Sequence, residues 1–322
     1  MLVLGLQGSP RGNGNTNFLL SEFLKEAEKL GAETRTIEVT KLKISPCIGC
    51  GTCEKTGFCF FNDAMSKEFY PMLREADIVV AATPIFFYNA TGQLKIFIDR
   101  SQALWSRKYR LKLADPGSKT RRGFLLALGA TKGKNLFEGL DLTAKYFFDA
   151  IAADFSGSLT YRRIENKGDM KKHPTVLDDV KKEAGRLLSP FTGRKKILFA
   201  CTQNACRSQM AAAFARYIAG DKIEAVSGGS EPVAKLNPIM VKGMQEKGLD
   251  MEYLSPKSID AAIEKVSPDI IITMGCGQKC PNISGAKKYE WDMPDPAGES
   301  LDFMRSIRDM IEESVVKLVN GL

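Results

Sequence analysis

Histidine is nearly missing from this chain. A single imidazole, His173, occurs in 322 residues, so acid–base chemistry must rest mainly on carboxylates and thiols. Long apolar runs are missing too, and no stretch approaches the roughly 20 residues that a membrane helix needs. Met1-Leu-Val-Leu-Gly-Leu6 has no basic flank and runs at once into a polar Gly-rich loop. It reads as a first strand, not a signal peptide, and the expectation is a soluble cytoplasmic protein with no membrane partner. The formal net charge is +8, yet no long basic tract is interleaved with aromatics. Anionic ligands or an acidic partner fit better than nucleic acid. Neither GxGxxG nor GK[ST] is present, which argues against a dinucleotide or a nucleoside triphosphate. There is no internal repeat and no low-complexity tract.

What is present is cysteine in two groups: Cys47, Cys50, Cys53 and Cys59, then Cys201, Cys206, Cys276 and Cys280. In a cytosolic chain such spacing suggests metal or redox work more than structural disulfides. The length favours two domains. Strand patterns at 1–7, 34–39, 77–83, 122–129 and 155–161 alternate with helix patterns at 15–30, 63–75, 92–104, 135–151 and 174–188. A second series follows, with strands at 195–200, 223–227, 268–273 and 287–290. Its helices fall at 207–219, 237–247, 258–265 and 300–319. Alternation of this kind predicts α/β architecture, two doubly wound parallel sheets with helices on both faces. The punctuation Ser189-Pro-Phe-Thr-Gly-Arg-Lys-Lys196 separates domains at 1–190 and 194–322.

The octet CTQNACRS, residues 201–208, lies between the apolar run Lys196–Ala200 and an amphipathic run. It reads as strand, tight loop, helix. A loop of this length at a helix start turns backbone N–H groups around a tetrahedral oxyanion. Thr202, Gln203, Asn204, Ala205, Cys206, Arg207 and Ser208 would form that cradle. The same cradle favours the nucleophilic thiolate form of Cys201. Cys-x5-Arg in this setting points to attack on phosphate or a phosphate look-alike.

The first strand ends in Gly8-Ser-Pro-Arg-Gly-Asn-Gly-Asn-Thr16. Its amides and hydroxyls suit a single terminal phosphate, as on FMN. Two more segments follow strands on the same side of the sheet, Thr83–Thr91 and Gly129–Gly133. The first brings aromatics and a Pro-fixed turn suited to a flat ring. Cys47 to Cys59 spell C-x2-C-x2-C-x5-C, four thiolates within a short loop that can wrap one compact cluster. Zinc or redox disulfides are the other uses of such a loop; structural zinc usually takes two separated C-x2-C knuckles.

With these residues in view, GSPRGNGNT, TPIFFYNATGQLKIFIDR (83–100) and the cysteine loop resemble the iron–sulfur flavoprotein branch of the NAD(P)H-dependent FMN reductases. The resemblance covers about residues 1–185. It implies a flavodoxin-like fold, a 4Fe–4S cluster on Cys47, Cys50, Cys53 and Cys59, and FMN bound through Ser9, Arg11, Asn13, Asn15, Thr16, Pro84, Phe86, Phe87, Tyr88 and Gly129. Ferredoxin or NAD(P)H would be electron donors, and a homo-oligomer is implied in the same way.

Residues 195–322 resemble the smaller low-molecular-weight phosphatase fold and, within it, the thiol-dependent arsenate reductases. Three stretches carry this: CTQNACRSQM (201–210), with Gln-Met where tyrosine phosphatases usually have Pro; TMGCGQKCP (273–281); and WDMPDPA (291–297). The resemblance implies arsenate as substrate, Cys201 as nucleophile with Arg207, Asp295 for proton transfer, and a disulfide relay through Cys276 and Cys280 served by a thioredoxin-like donor. The C-x3-C spacing is shorter than usual in that family. Ala211, Ala212 and Ala213 also replace the stretch where the family often has a Glu at a potassium position.

Two other functions stay open on these residues: an aryl or tyrosine phosphatase fused to a flavoprotein, and a non-enzymatic redox-sensing electron-transfer module. Cys201, Cys206, Cys276 and Cys280 also permit a four-thiolate zinc site, though that leaves Arg207 unexplained. Asp295 before Pro is otherwise a turn starter. Trp105 and Trp291 read as packing residues, and His173 as a solvated residue at a helix start.

Overall fold

A computed structural model describes residues 1–275, 283 and 285–322. Contacts divide the chain into two compact units, Met1–Lys112 with Thr120–Thr192, and Leu113–Lys119 with Gly193–Leu322.

The first unit runs β1 (Leu2–Gln7), α1 (Asn15–Lys29), β2 (Glu33–Glu38), α2 (Thr52–Thr56), a π-helical turn Met65–Phe69 leading into α3 (Tyr70–Glu75), then β3 (Ile78–Pro84). It continues with α4 (Gly92–Arg100), α5 (Gln102–Tyr109), β4 (Arg122–Gly129), α6 (Glu138–Ala150), β5 (Asp154–Arg162) and α7 (Val176–Leu188). The sheet order is β2-β1-β3-β4-β5, every pairing parallel. β1, β3 and β4 are apolar and buried along almost their whole length, as parallel strands covered on both faces must be. Edge strand β2 buries only Ile37.

This is the flavodoxin-like order, in which the crevice between β1 and β3 opens where the connections leave in opposite directions. The loops after β1, β3 and β4 therefore share the carboxyl end of the sheet. The helix predicted over 92–104 is two helices. Ser101 lies between α4 and α5 and its hydroxyl donates to Phe97 O at 3.2 Å, a back-bond that bends helices. The helix predicted over 63–75 likewise begins as a π turn, and α2 inside the cysteine loop is not foreshadowed by pattern at all.

The second unit contains β6 (Lys195–Cys201), α8 (Arg207–Ala219), β7 (Ile223–Gly229), α9 (Pro238–Glu246), α10 (Ile259–Val266), β8 (Ile270–Met274), β9 (Lys287–Glu290) and α11 (Leu301–Asn320). Its sheet is parallel in the order β7-β6-β8-β9. Strand β6 shows the two-residue period plainly. Ile197, Phe199 and Cys201 join the core with Phe214 of α8 and Ile307 of α11, while Leu198 and Ala200 join Ile259 of α10 on the other face. The segment 113–119 adds to this unit by backbone pairing. Ala114 N donates to Gly248 O at 2.7 Å, and Asp250 N donates to Ala114 O at 2.9 Å. Among the described residues no helix is long and apolar enough to cross a membrane.

Candidate active site and cysteine loop

Cys201 is the last residue of β6, and Arg207 is the first of α8. The loop between them is held from outside. Ser230 N, Glu231 N, Val233 N and Asn237 N donate to the carbonyls of Cys201, Thr202, Gln203 and Ala205, at 2.8–3.2 Å. Gln209 Nε2 takes the Asn204 carbonyl at 3.2 Å. In a trans peptide the N–H points opposite the carbonyl, so with the carbonyls turned out, the amides of this loop face its interior. No side chain caps the start of α8, leaving its first N–H groups to an anion. The wall beside the loop must be bare. A Cβ on Gly229 would lie 2.7 Å from Thr202 O and 2.9 Å from Asn204 N.

A chain of polar contacts ends on the sulfur. Gln209 Nε2 and Lys257 N donate to Asn204 Oδ1, at 3.0 and 2.9 Å. Asn204, wholly buried and left-handed at φ 51°, donates through Nδ2 to Ser208 Oγ at 2.8 Å. Ser208 Oγ lies 3.0 Å from Cys201 Sγ. Because Ser208 oxygen already accepts from Asn204, its own proton is free to point at the sulfur.

Arg207 is buried. It donates to Met293 O at 3.0 Å and pairs with Asp295 Oδ2 at 3.0 Å. Asp295 is open to solvent, and its Oδ1 also accepts from Ala297 N at 3.1 Å. It is thus both a turn starter and an ionic partner of the oxyanion loop. Trp291 packs on Phe199 with ring centroids 5.8 Å apart. Cys276 and Cys280 lie outside the described residues, and with them the zinc alternative for this group.

Cys206, at the end of the loop, is buried as well. Burial, then the negative charges of Cys201 and Asp295, push its thiol up to about 12 from 9.0. In the folded chain it keeps its proton where the unfolded chain has lost it, so the unfolded state binds fewer protons over that range. Stability held below about pH 9 is therefore lost as pH climbs toward about 12. Urea midpoints measured at pH 8 and pH 11 should fall less in Cys206→Ala than in the parent.

In the first unit, the 8–16 loop follows β1. Ser9 and Thr16 are buried, while Arg11 and Asn13 are exposed. Helix α1 starts without a side-chain cap. Asn15 is engaged within the protein: its Oδ1 accepts from Gly168 N and Met170 N, and its Nδ2 donates to Asn166 O. Pro84 ends β3 and Gly129 ends β4. Phe86, Phe87 and Tyr88 project from the loop after β3, Phe87 with its ring fully exposed at 102%. Phe87 and Tyr88 sit at φ 48° and 61°, costly for bulky residues and characteristic of ligand clamps. His173 is half-buried, with its ring edge-on to Tyr161 at 4.7 Å and its Nδ1 3.4 Å from Thr175 Oγ1 at the surface.

Cys47, Cys50, Cys53 and Cys59 are all free thiols and all line one cavity of ≈ 750 Å³ with Trp105, Tyr146 and Phe147. Among the described residues, no three His, Cys, Asp or Glu side chains stand close enough to grip one metal ion. Two buried arginines that sequence reasoning missed hold this loop. Arg100, at the end of α4, donates to Ser45 O at 2.8 Å and clasps both carboxylate oxygens of Asp63, at 2.7 and 2.9 Å. It therefore ties together the two feet of the loop, just before Cys47 and just after Cys59. Although burial works against it, the Arg100 pairing holds the Asp63 carboxyl below the usual range. Arg107, on α5, donates to Gly57 O at 3.3 Å and lies over the Phe58 ring at 4.9 Å. Gly57 itself needs to be glycine, at φ 77° with a Cβ that would meet the Arg107 guanidinium at 2.5 Å.

The Arg100 clasp carries a prediction. Arg100→Leu strands Asp63 and frees Ser45 O, so unfolding free energy should fall by about 3 kcal/mol. Limited proteolysis should cut first between residues 45 and 63.

One unit is thus a parallel sheet whose Cys-x5-Arg loop opens α8, and the other a flavodoxin-like sheet that carries a four-cysteine loop. Residues 196–322 match the profile of the low molecular weight phosphotyrosine protein phosphatases, and residues 1–127 that of the NADPH-dependent FMN reductases. The chain is 36% identical over 128 residues to a putative arsenate reductase of Halobacterium salinarum, covering 38% of this chain and 89% of that protein. It is 32% identical over 128 residues to the glutaredoxin arsenate reductase of Synechocystis sp., covering 39% and 96%. It is 41% identical over 100 residues to an iron–sulfur flavoprotein of Archaeoglobus fulgidus, covering 31% and 45%. The chain spans about half the length of the iron–sulfur flavoproteins it matches. Through its C-terminal region the chain belongs to the arsenate reductases, while its N-terminal region is similar to the FMN reductases and iron–sulfur flavoproteins.

Proposed function

We propose that this chain is an oxidoreductase that reduces arsenate to arsenite at Cys201, with a flavin and iron–sulfur unit as its electron source. The observation that carries the reading is the oxyanion loop itself. Its carbonyls are held outward and Arg207 closes it, with a sulfur at its base that Ser208 contacts. Such a cradle binds a tetrahedral anion and places it over the nucleophile.

The Cys201 thiolate bonds to arsenic and water or hydroxide leaves, with Asp295 handling the proton beside Arg207. The thiolate of Cys276 then attacks Cys201 Sγ. A disulfide forms, the sulfur–arsenic bond breaks, and its electron pair stays on arsenic, which leaves as arsenite. Arsenic gains two electrons and two thiols lose them. Exchange onto Cys280 leaves Cys276–Cys280 oxidised and Cys201 free.

The residues of the first unit fit the two groups the reading assigns to it. For FMN, the fit rests on uncapped amides at α1 and on Phe87 and Tyr88, exposed on a strained backbone, in loops that share the carboxyl end of the sheet. Ser9, Arg11, Asn13, Thr16, Pro84, Phe86 and Gly129 complete that set, and Asn15 shapes it through the 166–170 loop. For a 4Fe–4S cluster, the fit rests on four free thiols around one cavity. One ion would draw thiolates to about 2.3 Å of a single point, whereas a cubane takes one at each separate corner. Bound there, the two groups supply one- and two-electron chemistry. NAD(P)H or a ferredoxin is the donor class for this unit, and a thioredoxin-like protein acting from outside is the other route to the disulfide.

The intact chain, purified without oxygen, tests this when it is offered arsenate and an aryl phosphate in parallel. Arsenite formed with two thiols lost per arsenite supports the reading. Aryl phosphate hydrolysis without arsenite favours the phosphatase, and reversible disulfide formation with neither favours the sensor.

A further inference from the structure

Helix α5 presents Ser106 to the cysteine loop. Ser106 is completely buried, and its hydroxyl donates to Cys53 Sγ at 3.5 Å. A buried hydroxyl needs a partner, and this sulfur is the one its hydroxyl has. The position is set from both sides. One residue on, Arg107 holds Gly57 O, and Gly57 N in turn donates to Cys53 O at 2.9 Å. Six residues earlier, Arg100 ties the feet of the loop. Ser106 therefore has little freedom to swing away from Cys53. The other hydroxyl near a loop sulfur, Thr52 at 3.4 Å from Cys50 Sγ, is an exposed contact that water competes for.

We propose that Ser106 is a positioning residue that sets the reduction potential of the cluster carried by Cys47, Cys50, Cys53 and Cys59, through its hydrogen bond to Cys53 sulfur. The proposal rests on the reading of those four cysteines as cluster ligands. Its physics is electrostatic. A reduced cluster carries one more negative charge, part of it on the thiolate sulfurs. A buried donor aimed at one of those sulfurs stabilises the reduced form more than the oxidised form, and so raises the potential.

The test uses the full chain purified without oxygen, with iron and sulfide measured first, then a dye-mediated potentiometric titration followed by electron paramagnetic resonance. Ser106→Ala should disfavour reduction about fivefold, the worth of one net hydrogen bond. At 59 mV per tenfold for a one-electron couple, that is a midpoint about 40 mV lower. Ser106→Thr keeps the hydroxyl and should restore the parent value. If Ser106→Ala fails to take up iron while Ser106→Thr loads fully, the hydroxyl is still the group that matters. An unshifted midpoint in loaded Ser106→Ala overturns the proposal, as do equal shifts in both variants or loss of iron in both, which would show packing alone. Absence of iron and sulfide from the parent chain would instead remove the cluster reading itself.

Discussion

Cys201→Ser lowers arsenate turnover by about 10⁴-fold or more, because a serine hydroxyl in the same place is not ionised and is a far weaker nucleophile than a thiolate. The chain has a single imidazole, and His173 uses its ring in an edge-on contact with Tyr161. The loop should survive the change. Its carbonyl contacts to residues 230–237 and the Asn204 network do not use the sulfur. Phosphate should accordingly still protect the variant against heat, which separates loss of the nucleophile from loss of the cradle. Arsenite is counted by separation from arsenate after quenching. Turnover within about tenfold of the parent would mean that Cys201 is not the nucleophile.

Cys276→Ser should divide the two chemistries. If reduction proceeds through a second thiol, the variant stops after Cys201 has bonded to arsenic, and arsenite formation falls to background. Aryl phosphate, wherever it is accepted, needs only water to clear Cys201 and should still turn over. A hydrolase with an incidental cysteine pair would show no difference between the two assays. The distinction is one of electron count. Hydrolysis needs no electrons and one nucleophile, whereas taking arsenic from the +5 to the +3 state needs two electrons and therefore two thiols per turnover.

The strand, loop and helix around Cys201 and Arg207 were legible because their parts are adjacent. Strand, cysteine, five residues, arginine and helix follow one another in sequence, and the local rules of helix starts place them. Asp295 was reachable by resemblance, but its two roles were not separable until Arg207 and Ala297 were seen on different oxygens of one carboxylate. The four cysteines were legible as a group for the same reason of adjacency.

What holds them was not legible. Ser106 reaches Cys53 across 53 positions, and Arg100 reaches Ser45 across 55. Inside LKIFIDRSQALWSRKY (94–109) these residues look like the polar face of a surface helix. Only the break at Ser101 and the packing of α4 and α5 against the loop turn Arg100, Ser106 and Arg107 inward. An arginine next to an apolar helical stripe, with an Asp just past the last cysteine, is the one hint the chain offered. The segment 113–119 pairs with residues 248–250 for a reason no local pattern carries, since backbone pairing between strands so far apart is decided by tertiary context.

The account stands or falls on the fate of sulfur 201 during one turnover. The chain, reduced and kept from oxygen, is given one equivalent of arsenate, quenched in acid with an alkylating reagent, and digested for mass mapping. The account predicts one arsenite per chain and two thiols lost, found as a disulfide joining Cys276 to Cys201 or to Cys280, with Cys206 still a free thiol. Arsenite formed while Cys201 and Cys276 both remain alkylatable, or no arsenite alongside released phosphate from an aryl ester, would contradict it.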